Sequence, residues 1–166
     1  VPVEVLAEIR GLARANGAVT RLIDMGIEPF LVTSSVIAIV AQRLLRVLCP
    51  KCKEAYTPDG ESLANLGIDM KQLDRHPLYR KQGCAACMNT GYRGRTAIFE
   101  ILILDDPLKR LILKTSDANQ IQDEAMKRGM TNLLADGAKK VLEGTTTIEE
   151  VFRVTRILKR ETDIEA

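Results

Sequence analysis

Two Cys-x-x-Cys pairs constrain this chain more than any other feature. Cys49-Pro50-Lys51-Cys52 and Cys84-Ala85-Ala86-Cys87 hold all four cysteines of the 166 residues, with residues 53–83 between them. A two-residue spacer lets both thiolates of a pair turn toward one point, and two such knuckles complete a tetrahedral set of four sulfur ligands. Four protein ligands leave no open position, so the site reads as structural, with no bound water to activate. Magnesium and calcium prefer oxygen and match poorly. Iron fits the same geometry, but a non-redox four-cysteine ribbon points to Zn2+ on Cys49, Cys52, Cys84 and Cys87. Two other readings stand beside this one. Disulfides belong to oxidising compartments, which nothing in the sequence suggests. A thioredoxin-like pair should open a helix after a strand, whereas Cys49 is expected to follow a helix and Cys84 follows Gly83 in a loop-like stretch. His76, the lone histidine, sits between Asp74-Arg75 and Pro77 and reads as an exposed loop residue, superfluous beside four thiolates.

The segment between Cys49 and Arg95 needs such a staple. It is rich in Pro, Gly, Lys and Arg, has little sustained periodicity, and cannot bury a large core unaided. Arg75, Arg80, Lys81, Arg93 and Arg95, with Lys71, make its second half basic and form a candidate surface for an acidic partner or anionic lipid. The chain as a whole carries a net charge of only +2, which gives no general case for nucleic-acid binding. The longest apolar stretch, Pro29 to Ala41, is too short for a bilayer crossing of ~20 residues, and Val1-Pro2-Val3-Glu4 lacks the pattern of a secretory signal.

Outside the cysteine segment the pattern predicts an α-rich α+β chain. A short strand is expected at Val3 to Leu6 and a helix from Ala18 to Met25, stopped by Gly26. A second, strongly apolar helix is expected from Pro29 to about Leu45, although its β-branched run around Val36 to Val40 would also suit a strand. Thr96 to Leu104 reads as a strand. Helices follow from Asp106 or Pro107 to Lys114, Asp117 to Arg128, Asn132 to Glu143 and Ile148 to Lys159. Gly129 and Gly144 are candidate C-caps, Ser116 and Thr131 candidate N-caps, and Thr147 with Glu150 a capping box. Leu108, Leu111, Ile112, Ile121, Leu133, Val141, Val151 and Leu158 are expected to build a small bundle. The implied divisions are 1–47, 48–95 and 96–166.

No GxxxxGK[ST] phosphate loop, HExxH motif, dinucleotide fingerprint or Ser-His-acid arrangement occurs. The run Gly91-Tyr92-Arg93-Gly94-Arg95-Thr96 superficially suggests a phosphate or RNA loop, but such a run after a knuckle more often marks a tight turn with a solvated basic face. Two classes therefore stay open on the residues alone: a stand-alone zinc-stapled module that binds protein or membrane, and a piece of a larger enzyme.

The residues from Gly17-Ala18-Val19-Thr20-Arg21-Leu22-Ile23-Asp24-Met25-Gly26 to Ile27-Glu28-Pro29-Phe30-Leu31-Val32 resemble the segment after the histidine box of type II secretion and type IV pilus assembly ATPases, the GspE/PilB type. Ser34-Ser35-Val36, Ala41-Gln42-Arg43-Leu44-Leu45-Arg46, both knuckles, Gly91 to Thr96, Phe99-Glu100, Gly129-Met130 and Gly144 to Glu150-Val151 continue the likeness over roughly Asn16 to Ile157. The resemblance implies the C-terminal part of a cytoplasmic homo-hexameric motor, peripheral to the inner membrane. It also implies the end of a RecA-like ATPase domain at 1–47, a zinc-binding subdomain at 48–95 and a strand plus helical subdomain at 96–166. ATP and Mg2+ would belong to the full-length parent only, and inner-membrane assembly platform proteins would be its partners. Glu8-Ile9-Arg10 looks like the end of the Walker B region, which would make Glu8 the water-polarising carboxylate. The family should then show some 20-odd residues, including its histidine box, before Gly17, and here Gly11 follows Arg10 at once.

Overall fold

The computed structural model of the protein describes residues 15–73 and 76–155. The strand expected at Val3 to Leu6, Glu8, Arg75 and the end of the last helix, with Leu158, lie outside them. The described chain is α-rich α+β, as the pattern predicts: eight α-helices, and four strands in two two-stranded sheets. It divides into two compact units, residues 15–41 with 99–132 and residues 42–98 with 133–155. The strands β1 (Ala38–Leu48) and β4 (Tyr92–Ile103), which pair with each other, contribute residues to each.

In the first unit, α1 (Ala15–Asp24) buries Ala15, Ala18 and Val19, and Gly26 ends it with φ +86°. Pro29 opens α2 (Pro29–Ser35), where a missing N–H costs nothing. The helix expected to run on to Leu45 stops at Ser35. Thr33 and Ser34 turn their hydroxyls back onto the carbonyls of Pro29, Phe30 and Leu31, the bonding that weakens a helix from within. Beyond them Val36, Ile37, Ile39 and Val40 are β-branched and favour extended backbone. From Ala38 onward burial alternates with the period of a strand. The apolar spacing of Val36 and Ile39 suits either structure, since both pack on the core.

That core joins Val19 and Val32 to Leu102 and Leu104, and to Leu108, Ile112, Ile121 and Ala125 from α5 (Asp106–Ile112) and α6 (Ala118–Lys127). Polar bonds fix α1 in place: the Ala15 N–H donates to the buried Glu100 carboxylate at 2.7 Å, and Asn16 and Thr20 donate to the carbonyls of Ala118 and Ser116. The cap of α6 is Asp117 rather than Ser116. Its carboxylate accepts the N–H groups of Asn119 and Gln120, and an ionised acceptor suits the positive end of the helix.

In the second unit, β2 (Glu54–Tyr56) and β3 (Leu78–Arg80) pair antiparallel with Ala55 opposite Tyr79. Between them come α3 (Gly60–Leu66), capped by Asp59 at 2.7 Å from the Ser62 N–H, and the short α4 (Met70–Leu73). The helices α7 (Leu133–Leu142) and α8 (Ile148–Thr155) complete it. They approach closely at Gly137, where a Cβ would lie 2.6 Å from the Val151 Cγ1. Leu45, Leu48, Leu63, Leu66, Leu78, Ile98, Leu133, Val141 and Val151 are buried here. The apolar residues expected to form one bundle thus lie in two cores, Leu108, Ile112 and Ile121 in the first unit and Leu133, Val141 and Val151 in the second. Gly129 and Gly144 both take positive φ, +93° and +65°, as expected of helix ends.

The expected capping box forms by half. Thr147 Oγ1 accepts the Glu150 N–H at 3.2 Å, but the Glu150 carboxylate turns to arginines. It accepts the Arg46 N–H at 3.0 Å and the guanidinium groups of Arg46 and Arg153 at 2.6–3.0 Å. Burial disfavours the charged form of Glu150, yet the Arg153 and Arg46 bonds outweigh it and hold its pKa down to about 2. The sign follows from linkage: a carboxyl depressed on folding adds stability above its ordinary value near 4.5, and this is lost as pH falls toward 2. Glu150→Gln should therefore flatten the fall in stability between about pH 4.5 and 2, measured by urea denaturation at stepped pH. An unchanged pH slope would mean that Glu150 is not held ionised by its arginines.

Candidate metal centre

The site lies wholly within the second unit and is built from two turns. The first follows β1 directly: Leu48 and Cys49 are buried, and the Cys52 and Lys53 N–H groups both donate to the Cys49 carbonyl at 3.2 and 3.0 Å. The second is a single 3-10 turn, Ala85–Cys87, closed by the Cys87 N–H on the Cys84 carbonyl at 3.1 Å and by Asn89 on the same carbonyl at 2.9 Å. Met88 and Asn89 follow in the left-handed region. One backbone bond joins the two turns, the Cys49 N–H on the Gly91 carbonyl at 2.9 Å. Gly91 has φ +76°, and a Cβ on it would stand 2.6 Å from the Lys81 Cβ, so the crossing requires glycine.

These turns bring the four sulfurs together. Cys49 Sγ is 3.9 Å from Cys84 Sγ, and Cys87 Sγ is 3.8 Å from those of Cys52 and Cys84. All four lie within 4.8 Å of one another, and none is disulfide-bonded. The edge of a tetrahedron is about 1.63 times its centre-to-vertex distance, so a metal–sulfur bond of ~2.3 Å calls for sulfurs ~3.8 Å apart. The measured separations meet that requirement, and the four cysteines predicted as ligands form a site fit to hold a metal ion. The Cys84 and Gly91 N–H groups point at Cys87 Sγ from 3.2 and 3.3 Å, the kind of outer bond that stabilises a thiolate ligand.

The sulfurs are electrostatically unequal. Burial opposes a thiolate at Cys87, but the Cys84 and Gly91 N–H groups, with the thiols of Cys84 and Cys52, bring it down to about 6. At Cys52, burial and the bonds with neighbouring sulfurs outweigh one backbone bond at Gly83 and push it up to about 12. Four thiolates at these distances repel strongly, so full ionisation calls for a cation among them.

The first turn is also tied to the loop joining α7 and α8. Lys53 Nζ donates to the Gly144 carbonyl at 2.9 Å and sits over the Tyr79 ring at 4.2 Å. The Leu48 N–H donates to the Thr145 carbonyl at 2.8 Å, and Thr146 Oγ1 to the Arg46 carbonyl at 2.8 Å. Sequence reasoning singled out neither Lys53 nor Arg46, whose one signal was adjacency to a knuckle. Of the basic residues it did single out, Lys81, Arg93 and Arg95 are exposed. Arg80 is paired with Glu54 at 2.9 Å across β2 and β3, and His76 is exposed.

Residues 12–153 match the family described as Type II/IV secretion system protein. The chain belongs to this family. It is 49% identical over 142 residues to the Type II secretion system protein E of Pseudomonas aeruginosa, covering 86% of this chain and 28% of that protein. The Type II secretion system ATPase E of Vibrio cholerae is 46% identical, with the same coverage of both. The Type IV pilus assembly ATPase PilB of Myxococcus xanthus is 44% identical over 82% of this chain and 24% of its own length. The chain thus spans about a quarter of the length of these family relatives. Among its described residues no helix is long and apolar enough to cross a membrane.

Cys84→Ser should remove one ligand, and the metal content of the dialysed protein should fall from about one ion per chain toward zero. Hydrogen exchange should accelerate in β2, β3 and the second knuckle, while α1, α5 and α6, which have a separate core, stay protected. Reduced, carefully prepared wild-type protein that contains no metal yet is equally protected at both knuckles would contradict a metal-held site.

Proposed function

We propose that this chain is part of a cytoplasmic hexameric motor ATPase that powers type II protein secretion or type IV pilus assembly, and that its four cysteines hold a structural Zn2+. The observation that carries the reading is the match over residues 12–153 to the Type II/IV secretion system protein family, together with 46% and 44% identity to proteins named as secretion and pilus assembly ATPases. The tetrahedral sulfur spacing supports zinc independently of that match. Zinc would supply no chemistry beyond cross-linking: Cys49 and Cys52 fix the end of β1, and Cys84 and Cys87 fix the start of β4. In this reading residues 1–47 close a RecA-like domain, 48–95 form the zinc-binding subdomain and 96–166 the strand and helical subdomain, with Glu8 matching the Walker B carboxylate.

ATP and Mg2+ would be used by the longer parent. Phosphoryl transfer needs the triphosphate and metal positioned and a water oriented, and the 166 residues contain no phosphate-loop motif. Steady-state phosphate release should therefore be absent from this chain at all magnesium and protein concentrations, and present in the longer parent. Turnover by the chain that survives repurification and is lost on mutation within it would overturn this assignment, and an inactive parent would overturn the motor reading.

The parent would work at the inner membrane, against platform proteins or anionic headgroups. Lys81, Arg93 and Arg95, exposed in the structure, are the residues of this chain proposed to face such a partner; basic groups near an anionic surface contribute ~1 kcal/mol each. The triple substitution to glutamine, with metal content and fold verified, should weaken binding to anionic vesicles or to the platform, and added salt should do the same. Binding of both targets by the variant as tightly as by the parent would remove these residues from the interface.

A further inference from the structure

Glu150 is sealed from solvent, with none of its side chain exposed, yet the two arginines bonded to it are open: the side chains of Arg46 and Arg153 are 43% and 51% exposed. Arg46 comes from β1 and donates Nε and one terminal nitrogen to Glu150 Oε2 at 3.0 and 2.6 Å. Arg153, one turn beyond Glu150 on α8, forks both carboxylate oxygens at 2.8 and 2.7 Å. One forked arginine is enough to neutralise a buried carboxylate; the second is a charge in excess. Tyr92, itself buried and bonded through its hydroxyl to Thr147 at 2.9 Å, lies beneath the Arg46 guanidinium at 4.2 Å, and the Lys81 ammonium stands 5.5 Å from the same ring. Among the described residues, the carboxylates acting on that ring are Glu150 and the exposed Glu149, against Arg46, Arg153 and Lys81, a local excess of one positive charge.

The two guanidinium groups are also preorganised. A long side chain ordinarily loses much rotamer entropy when it grips a ligand, but here Glu150 and the Tyr92 ring already hold Arg46, and Glu150 holds Arg153. Nε and one terminal nitrogen of each arginine donate to Glu150, and the remaining terminal N–H groups can donate to a further carboxylate. A single excess charge suits a monoanion rather than a phosphate dianion.

We propose that the Arg46–Glu150–Arg153 face is a docking site for one carboxylate, an aspartate or glutamate side chain in an acidic segment of a partner protein. The site shares none of the zinc ligands and does not depend on the motor reading. It is a further role for residues that also tie β1 to α8.

The test uses the intact 166-residue chain, with a capped hexaglutamate peptide as the probe and nitrogen-15 spectroscopy of all the guanidinium N–H groups, terminal ones included, as the readout. The Arg46 and Arg153 signals should move saturably with peptide and recover with added salt. Arg153→Gln, which leaves Arg46 to neutralise Glu150, should weaken the peptide about tenfold. Arg153→Lys keeps the charge and loses the outward guanidinium N–H groups, and should fall between the two. Unmoved arginine signals, or binding by R153K as tight as by the unsubstituted protein, would overturn the proposal. So would a stronger response of the same signals to inorganic phosphate, or to phosphatidylglycerol vesicles, than to the peptide.

Discussion

Four sulfurs within 4.8 Å of one another are unstable as four anions. A dication at their centre would remove that penalty, and much of the second unit is arranged around the requirement. The knuckles close the loop of residues 53–83, whose own apolar content is small. Closing a loop of that length lowers the entropy that β2, β3 and α3 must otherwise overcome to pack Leu63, Leu66 and Leu78. The Cys49 N–H, donating to the Gly91 carbonyl at 2.9 Å, ties the two turns together beside the sulfurs.

Around this centre polar anchors tie the elements of the second unit together. The loop between α7 and α8 is held by Lys53, by the Leu48 N–H and by the hydroxyl of Thr146, and α8 is held by Arg46 through Glu150. Thr146, Thr147 and Glu150 are buried and fully partnered. Buried polar groups are tolerated only with their bonds made, so these contacts specify one geometry where apolar packing alone would accept several. The first unit contrasts with this: a continuous apolar core from Val19 to Ala125, with Glu100 and Asn16 as its buried polar links.

The family match extends well beyond the metal centre: residues 12–153 take in α1, α2 and α5 to α7 as well as the four cysteines. The sulfur spacing would point to a metal in a chain of any family. A chain of the Type II/IV secretion system protein family, about a quarter of its relatives' length, thus carries a four-cysteine site fit to hold a metal ion and no phosphate-loop motif.

The ligands were legible because spacing along the chain is enough to define a Cys-x-x-Cys knuckle. The helices α5 to α8 were legible for a similar local reason, since Gly129 and Gly144 mark ends by their own conformational preferences, although the N-cap of α6 fell to Asp117 and not to Ser116. Local pattern failed at Val36 to Leu45, where apolar spacing fits helix and strand alike and pairing with β4 decides for the strand. It also missed α3, whose seven residues hold too few apolar positions to show a period. The fate of Glu150 was beyond it altogether. Three residues after Thr147, its position is that of a capping carboxylate, but Arg46, 104 residues away, offers three charge-assisted or backbone bonds where the cap offers one. The sequence by itself determined the four cysteines that meet, the ends of the later helices at Gly129 and Gly144, and the family; which of two competing partners the buried Glu150 takes was decided only when folding brought distant donors within reach.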